Sequence, residues 1–174
     1  MNDSQQLGKQ LKELHTESFG WALRCCYNQK LEAEDILQMV YLKILEGRAQ
    51  YRNKSSFKTW LFSVIRNTAI DQHRKKKWTA VPLEVVKDLA DDSVDQYGTE
   101  QQELKKLFRL SLEQLSDKQR EIMQLVFYHD FTIKEAANIM GTSIGSARKH
   151  YDRAKQKLRI LLKERAAWKA LLLN

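Results

Sequence analysis

The stretch from Ser55 to Lys77 constrains this chain more than any other. Phe57, Trp60, Leu61, Val64, Ile65 and Ala69 recur at helical spacing and predict one buried stripe along a long helix. Ser55 or Ser56 supplies the hydroxyl that caps its start. Its far end is Arg74-Lys75-Lys76-Lys77, preceded by the polar residues Asn67, Asp71, Gln72 and His73. A helix that is core along one side and cationic at its tip is suited to presenting polar groups to a polyanion.

Composition supports that partner. Lys and Arg number 30 against 22 Asp and Glu, a formal charge of +8, which puts nucleic acid first and an anionic membrane surface second. With a hydrophobic fraction of 43%, a real core can form. No apolar run approaches the ~20 residues that span a bilayer, and Met1–Gln6 lacks the basic-then-apolar pattern of a signal peptide. A cytoplasmic protein without membrane insertion is expected. Six Gly, one Pro and scarce alternation predict an all-α fold.

Residues 4–28 carry a helical pattern that is ambiguous around Gly20. Residues 32–46 open with acids, which favour a helix N-terminus, and stop at Gly47. Residues 48–54 form a basic loop with one aromatic, Tyr51. Between residues 84 and 103 the acids Glu84, Asp88, Asp91, Asp92, Asp95, Glu100 and Glu103 face a single Lys87, and Pro82 stands at the entry. This reads as an acidic linker. Fully extended at ~3.3 Å per residue it reaches roughly 75 Å, about two turns of duplex DNA. The organisation predicted is two small helical domains, residues 1–79 and 104–174, joined by the linker 80–103.

The second domain carries two capping-box patterns, Ser116-Asp117-Lys118-Gln119 and Thr132-Ile133-Lys134-Glu135. Residues 132–155 have the pattern of a helix-turn-helix. Ala136 and Ala137 permit close helix approach, Gly141 suits the turn, and Thr142 or Ser143 caps the last helix. Ala147, Tyr151, Ala154 and Leu158 predict the inward stripe of that helix. Its outward face then holds Ser146, Arg148, Lys149, Asp152 and Arg153. Arg can pair bidentately with guanine, and Asp can accept from cytosine N4.

No catalytic constellation is evident. His15, His73, His129 and His150 are scattered, and no phosphate loop, nucleophile elbow or His-Glu-x-x-His occurs. Cys25 and Cys26 are adjacent, without Cys-x-x-Cys or a nearby His at ligand spacing, so neither a metal site nor a cofactor is expected. Glu32, Glu34 and Asp35 form the nearest thing to an acidic metal cluster, and a helix N-terminus explains them better.

Two blocks in one order carry a family resemblance. The first comprises Ala33-Glu34-Asp35-Ile36-Leu37-Gln38-Met39-Val40-Tyr41-Leu42-Lys43, Ser56-Phe57-Lys58-Thr59-Trp60-Leu61-Phe62 and Ile65 to Lys75. The second comprises Leu115 to Met123, Glu135-Ala136-Ala137 and Arg153-Ala154-Lys155-Gln156-Lys157-Leu158. Together they resemble the two characteristic regions of a bacterial extracytoplasmic-function sigma factor.

The resemblance implies a promoter-recognition subunit that binds core RNA polymerase, and an anti-sigma protein that holds it off. It assigns polymerase binding to the segment of Asp35, Gln38 and Tyr41. It assigns −10 single-strand contacts to Tyr51, Arg52, Asn53 and Lys54 in the loop, and to Arg66, Asn67, Asp71, Arg74 and Lys75 on the long helix. It assigns −35 duplex reading to Ser146, Arg148, Lys149, Asp152 and Arg153. Asp152 departs from the pattern, an acid close to phosphates that either reads a cytosine or weakens binding. Ala147 is smaller than the usual branched residue. The alternative reading is a stand-alone helix-turn-helix regulator, which would bind duplex tightly by itself.

Overall fold

The computed structural model describes residues 3–79 and 110–172, with side chains described for 6–76 and 110–163. The chain divides into two compact units, with the boundary between Asp91 and Asp92. The linker expected at 80–103 lies outside the described residues, as does Lys77 of the cationic run as a side chain. All regular structure among the described residues is helical.

In the first unit the helices are α1 (Asp3–Glu13), α2 (His15–Cys25), α3 (Lys30–Leu45) and α4 (Phe57–Thr79). The helical pattern of residues 4–28 is interrupted at Leu14, and Gly20, where the pattern is ambiguous, lies inside α2. Gly20 leaves no side chain to pack there, and helical bonding persists around the break, from Leu14 N–H to Gln10 and from Ser18 N–H to Leu14. Tyr27 and Asn28 have positive φ (53° and 65°) and turn the chain sharply from α2 into α3. Gly47 (φ 71°) closes α3 as expected, donating to the carbonyl of Ile44.

Helix α4 packs against both α2 and α3, so its buried face is broader than one stripe. Phe57, Leu61, Phe62, Ile65 and Ala69 are buried, with Thr59 and Thr68 beside them. Trp60 and Val64, expected inside, are only half-buried, at the edge of that face. Ser56 caps the helix, its hydroxyl accepting from the Thr59 amide at 3.1 Å. The indole of Trp21 stacks on Phe62 with ring centroids 5.7 Å apart, and its N–H donates to the Phe62 carbonyl at 3.0 Å. From the other side Lys43 donates to the Thr68 hydroxyl at 3.1 Å.

The second unit contains α5 (Asp117–Phe127), α6 (Ile133–Met140) and α7 (Ile144–Leu172), preceded by a helical turn at 110–113. Both expected capping boxes form: Ser116 with Gln119, and Thr132 with Glu135, whose amide donates to the Thr132 hydroxyl at 3.2 Å. Arg120 donates to the carbonyls of Leu112, Glu113 and Leu115 at 2.9–3.1 Å. Its cation thus meets the negative end of the preceding helical turn. Leu112, Leu115, Met123, Ala154 and Leu158 form one cluster of the core, with Tyr151 against it.

Removing the Trp21 ring is expected to loosen the first unit alone. Trp21→Ala should cost about 3–5 kcal/mol by cavity formation, whereas Trp21→Phe should cost less, because it keeps a ring to stack on Phe62. Urea denaturation of the full chain followed by circular dichroism checks this; equal midpoints for wild type and Trp21→Ala would contradict it.

Candidate nucleic-acid and polymerase interface

The helix-turn-helix is assembled by small residues and one left-handed glycine. Gly141 takes φ 62° and ψ 40°, where an L side chain is strained, and so turns α6 into α7. Ala136 and Ala137 of α6 and Ala147 and Ala154 of α7 are buried, and neither helix needs to stand off from its neighbours. The Ser143 hydroxyl accepts from the Ser146 amide at 3.1 Å and caps α7. At 100° per residue, the remaining positions fan from about 100° to 260° away from Ala147, in the order Arg148, Asp152, Lys149, Arg153, Ser146. Arg148, Lys149, Asp152 and Arg153 are all exposed, as their spacing predicted. Ser146 is half-buried, and its hydroxyl accepts from that of Ser143 at 3.0 Å. Asp152 is flanked by cations on both sides of the fan.

On α4, Asn67, Asp71, Arg74 and Lys75 are exposed, and Arg74 pairs with Asp71 at 3.2 Å. Arg66 is a correction. Expected to present charge, it is only 9% exposed, because the broad face buried against α2 and α3 extends over it. The solvent-facing strip of α4 instead includes Ile70, which the sequence reading missed; with Asn67, Asp71 and Arg74 it completes an i, i+3, i+4, i+7 row.

The loop between α3 and α4 holds Arg52, Asn53 and Lys54 in solvent, with Asn53 at φ 54°. Tyr51 is half-buried. Its ring meets Phe57 edge-on at 5.3 Å and Trp60 at 5.4 Å, and its hydroxyl donates to the Ser55 carbonyl at 2.6 Å. Tyr51 therefore anchors the loop onto the start of α4, and both its ring and its hydroxyl are engaged. The axis of α4 from Phe57 to Arg74 measures about 26 Å at 1.5 Å per residue, so loop and cationic tip stand at opposite ends of one rod.

Asp35 and Gln38 are exposed on α3, and Tyr41 is half-buried, its hydroxyl 3.1 Å from His15 Nδ1. Burial raises the Tyr41 phenol above its ordinary pKa. An open groove of about 420 Å³ runs beside it, lined by His15, Phe19, Leu37, Gln38 and Tyr41 among others. Leu31, Leu42 and Leu45, exposed at 78%, 53% and 64%, share a face with Asp35 and Gln38. Positions 31, 35, 38, 42 and 45 step by four and three, the heptad spacing that should have revealed this stripe in the sequence. The second unit also exposes Phe127, Tyr128, Ile144 and Ile160.

Known proteins share this two-unit construction. The Sigma-70 region 2 family matches residues 12–79, and the Sigma-70 region 4 family matches residues 111–159. The ECF RNA polymerase sigma factor SigM of Bacillus subtilis (strain 168) is 32% identical over 130 residues, covering 74% of this chain and 78% of SigM. The solved structure of the sigma factor RpoE in complex with the anti-sigma factor NepR, from Bartonella quintana, superposes with a TM-score of 0.69 at 26% identity. The match covers 91% of this chain and 97% of that one. The structure of CnrH in complex with the cytosolic domain of CnrY shares the fold, with a TM-score of 0.62 at 18% identity, covering 94% of this chain and 91% of that one. The chain belongs to the extracytoplasmic-function family of RNA polymerase sigma factors. Region 2 and region 4 together favour a promoter-recognition subunit over a stand-alone regulator. Among the described residues no helix is long and apolar enough to cross a membrane.

Cys26, like Tyr41, has a proton affinity shifted by burial. Burial pushes the Cys26 thiol up from its ordinary 9.0 to about 12, reinforced by the Glu32 carboxylate. An unfolded chain ionises that thiol near 9 while the folded chain resists until about 12, so the thiol's contribution is intact below pH 9 and is lost as pH rises from 9 to 12. Replacing Cys26 with Ala should therefore flatten the alkaline loss of stability over that window. At pH 8, alkylation of native protein should label Cys25 ahead of Cys26, read by peptide mass spectrometry; equal rates would contradict the burial.

Proposed function

We propose that residues 104–174 read −35 duplex through Ser146, Arg148, Lys149, Asp152 and Arg153. Residues 1–79 then hold the −10 non-template strand through Arg52, Asn53, Lys54, Asn67, Asp71, Arg74 and Lys75, with linker 80–103 between. The single observation that carries this is the α7 face: three cations fan around Asp152 on the side opposite two fully buried alanines. Such a face enters a major groove with its backbone already fixed by Gly141 and Ser143. Tyr51 contributes by holding the loop, and Ile70 offers an apolar contact to an unstacked base.

The polymerase is bound by the heptad row of α3. Leu31, Leu42 and Leu45 flank Asp35 and Gln38, and a partner helix laid along that row would bury the leucines around a polar centre. RNA synthesis belongs to the polymerase, and the chain itself is no enzyme; it works in the cytoplasm, where the polymerase and DNA are. Because the Bartonella quintana relative is a complex with an anti-sigma factor, an anti-sigma protein covering these same faces is the proposed holding partner.

Run-off transcription with purified core polymerase tests the whole reading: start-site selectivity should appear only when this chain is added. In that assay Leu42→Glu should lower assembly with core enzyme by tenfold or more while leaving the fold intact, as Leu42 lies outside the core; unchanged assembly would remove the α3 row from the interface.

Arg148→Ala and Arg153→Ala should each weaken −35 duplex binding by about 1–3 kcal/mol if they read bases. A contact to phosphate would instead reduce the log–log salt slope by ~0.9 and leave sequence preference untouched. Mobility-shift titrations at several salt concentrations separate the two, and unchanged affinity would remove the residue from the interface.

A further inference from the structure

We infer that Cys26, Glu32 and His73 form a binding site for a zinc-class divalent metal ion in the first unit. Cys26 and Glu32 are near neighbours in sequence, but His73 comes from a distant helix, which is why local ligand spacing gave no sign of the site. Folding brings a sulfur, a carboxylate oxygen and an imidazole nitrogen within 4.8 Å of one another. Donors around a tetrahedral zinc stand about 3.5 Å apart, so adjustments of about 1 Å by side chains close the site. They stand at a cavity of about 70 Å³, also lined by Asp35, Met39 and Lys76, with room for an ion and a water in its open position.

His73 is held through one of its two ring nitrogens. Its Nε2 lies 3.1 Å from the Cys25 carbonyl, which can only accept, so Nε2 is the donor there and Nδ1 is the nitrogen left to offer a lone pair to a metal. Metal-bound histidines are held in this way by a hydrogen bond from the other nitrogen. Tyr27 braces the same ring edge-on at 5.4 Å.

Charge also balances. The groups facing the site are the Cys26 thiol from the α2 terminus, Glu32 and Asp35 from α3, and His73 and Lys76 from α4. Without metal, the Lys76 ammonium pairs with Glu32. On uptake the Cys26 S–H bond breaks, an S–metal bond forms and the proton leaves to solvent, with no change of oxidation state. Thiolate and carboxylate then neutralise the divalent ion, and Lys76 is displaced from Glu32. Sulfur and imidazole donors select zinc, cobalt or nickel over magnesium and calcium. The occupied site would staple α2, α3 and α4 together at the base of the cationic tip.

The reduced full chain is titrated with Zn(II) alone and with Co(II) alone, without DNA or polymerase, so the result is independent of the promoter reading. Expected are a thiolate-to-cobalt charge-transfer band, release of one proton per zinc, and a zinc-dependent rise in Tm. Cys26→Ser should abolish the band. His73→Gln, which keeps a polar side chain of modest size, should weaken zinc binding more than about 100-fold, beyond the usual loss for an outer-shell partner. Lys76→Gln should tighten binding by removing the competitor for Glu32, an effect that a merely structural ion pair would not produce. Absence of the band and of any zinc-dependent Tm shift in both wild type and folded Lys76→Gln would overturn the inference. So would binding that survives both Cys26→Ser and His73→Gln.

Discussion

Everything in the first unit depends on how α4 is gripped. A single helix must offer one side to a core and the other to solvent, with its rotation fixed to within a fraction of a turn. Trp21 does this from α2. Its ring lies on Phe62 while its N–H bonds the carbonyl of that same residue, so apolar burial and a directional bond act at one point of the α4 backbone. The Lys43–Thr68 contact from α3 sets the same rotation further along the helix. With the rotation fixed, Asn67, Ile70, Asp71 and Arg74 can only face outward, and Arg66 can only be covered.

The second unit reaches the same end by other means. Its middle helix is short: α6 has eight residues, too few to be stable alone. Thr132 and Glu135 satisfy amides at its start, and Gly141 ends it with a left-handed residue. The alanines then let it lie close to α7. Order is imposed by local chemistry at the ends of α6 and by close packing along it, leaving the outward side of α7 unconstrained by the fold and available for charge.

These two strategies explain how much could be read in advance. The caps, the turn and the α7 fan are encoded within a few residues of one another, and Thr132, Glu135, Gly141 and Ser143 behave as their spacing says. What escaped depends on contacts distant in sequence. Trp21 was not recognised as core because its partner Phe62 lies 41 positions away. A single apolar stripe leaves Arg66 free to present charge, but two helices pack on α4 and the wider buried face covers it. Tyr51 looks open to a base in the sequence, since nothing local announces that Phe57 and Trp60 will pack against it. Cys26 and His73 meet for the same nonlocal reason.

The α3 leucines raise a different question, one of cost. Leu31, Leu42 and Leu45 leave much of their apolar surface in water, since each remains more than half exposed. Scattered singly, exposed leucines need no explanation. Set in one row with Asp35 and Gln38 between them, they form a continuous surface that a partner helix could bury. The leucines supply affinity through area, at roughly 25 cal/mol per Å² of apolar surface removed from water. Asp35 and Gln38 supply register, because a misaligned partner would leave them buried and unsatisfied. Affinity and alignment are thus divided between residue types on one face, while the opposite face of α3, through Ile36, Val40 and Ile44, is spent entirely on the core. The same division holds for α4 and α7, and it is what lets so small a chain carry several interfaces without enlarging its core.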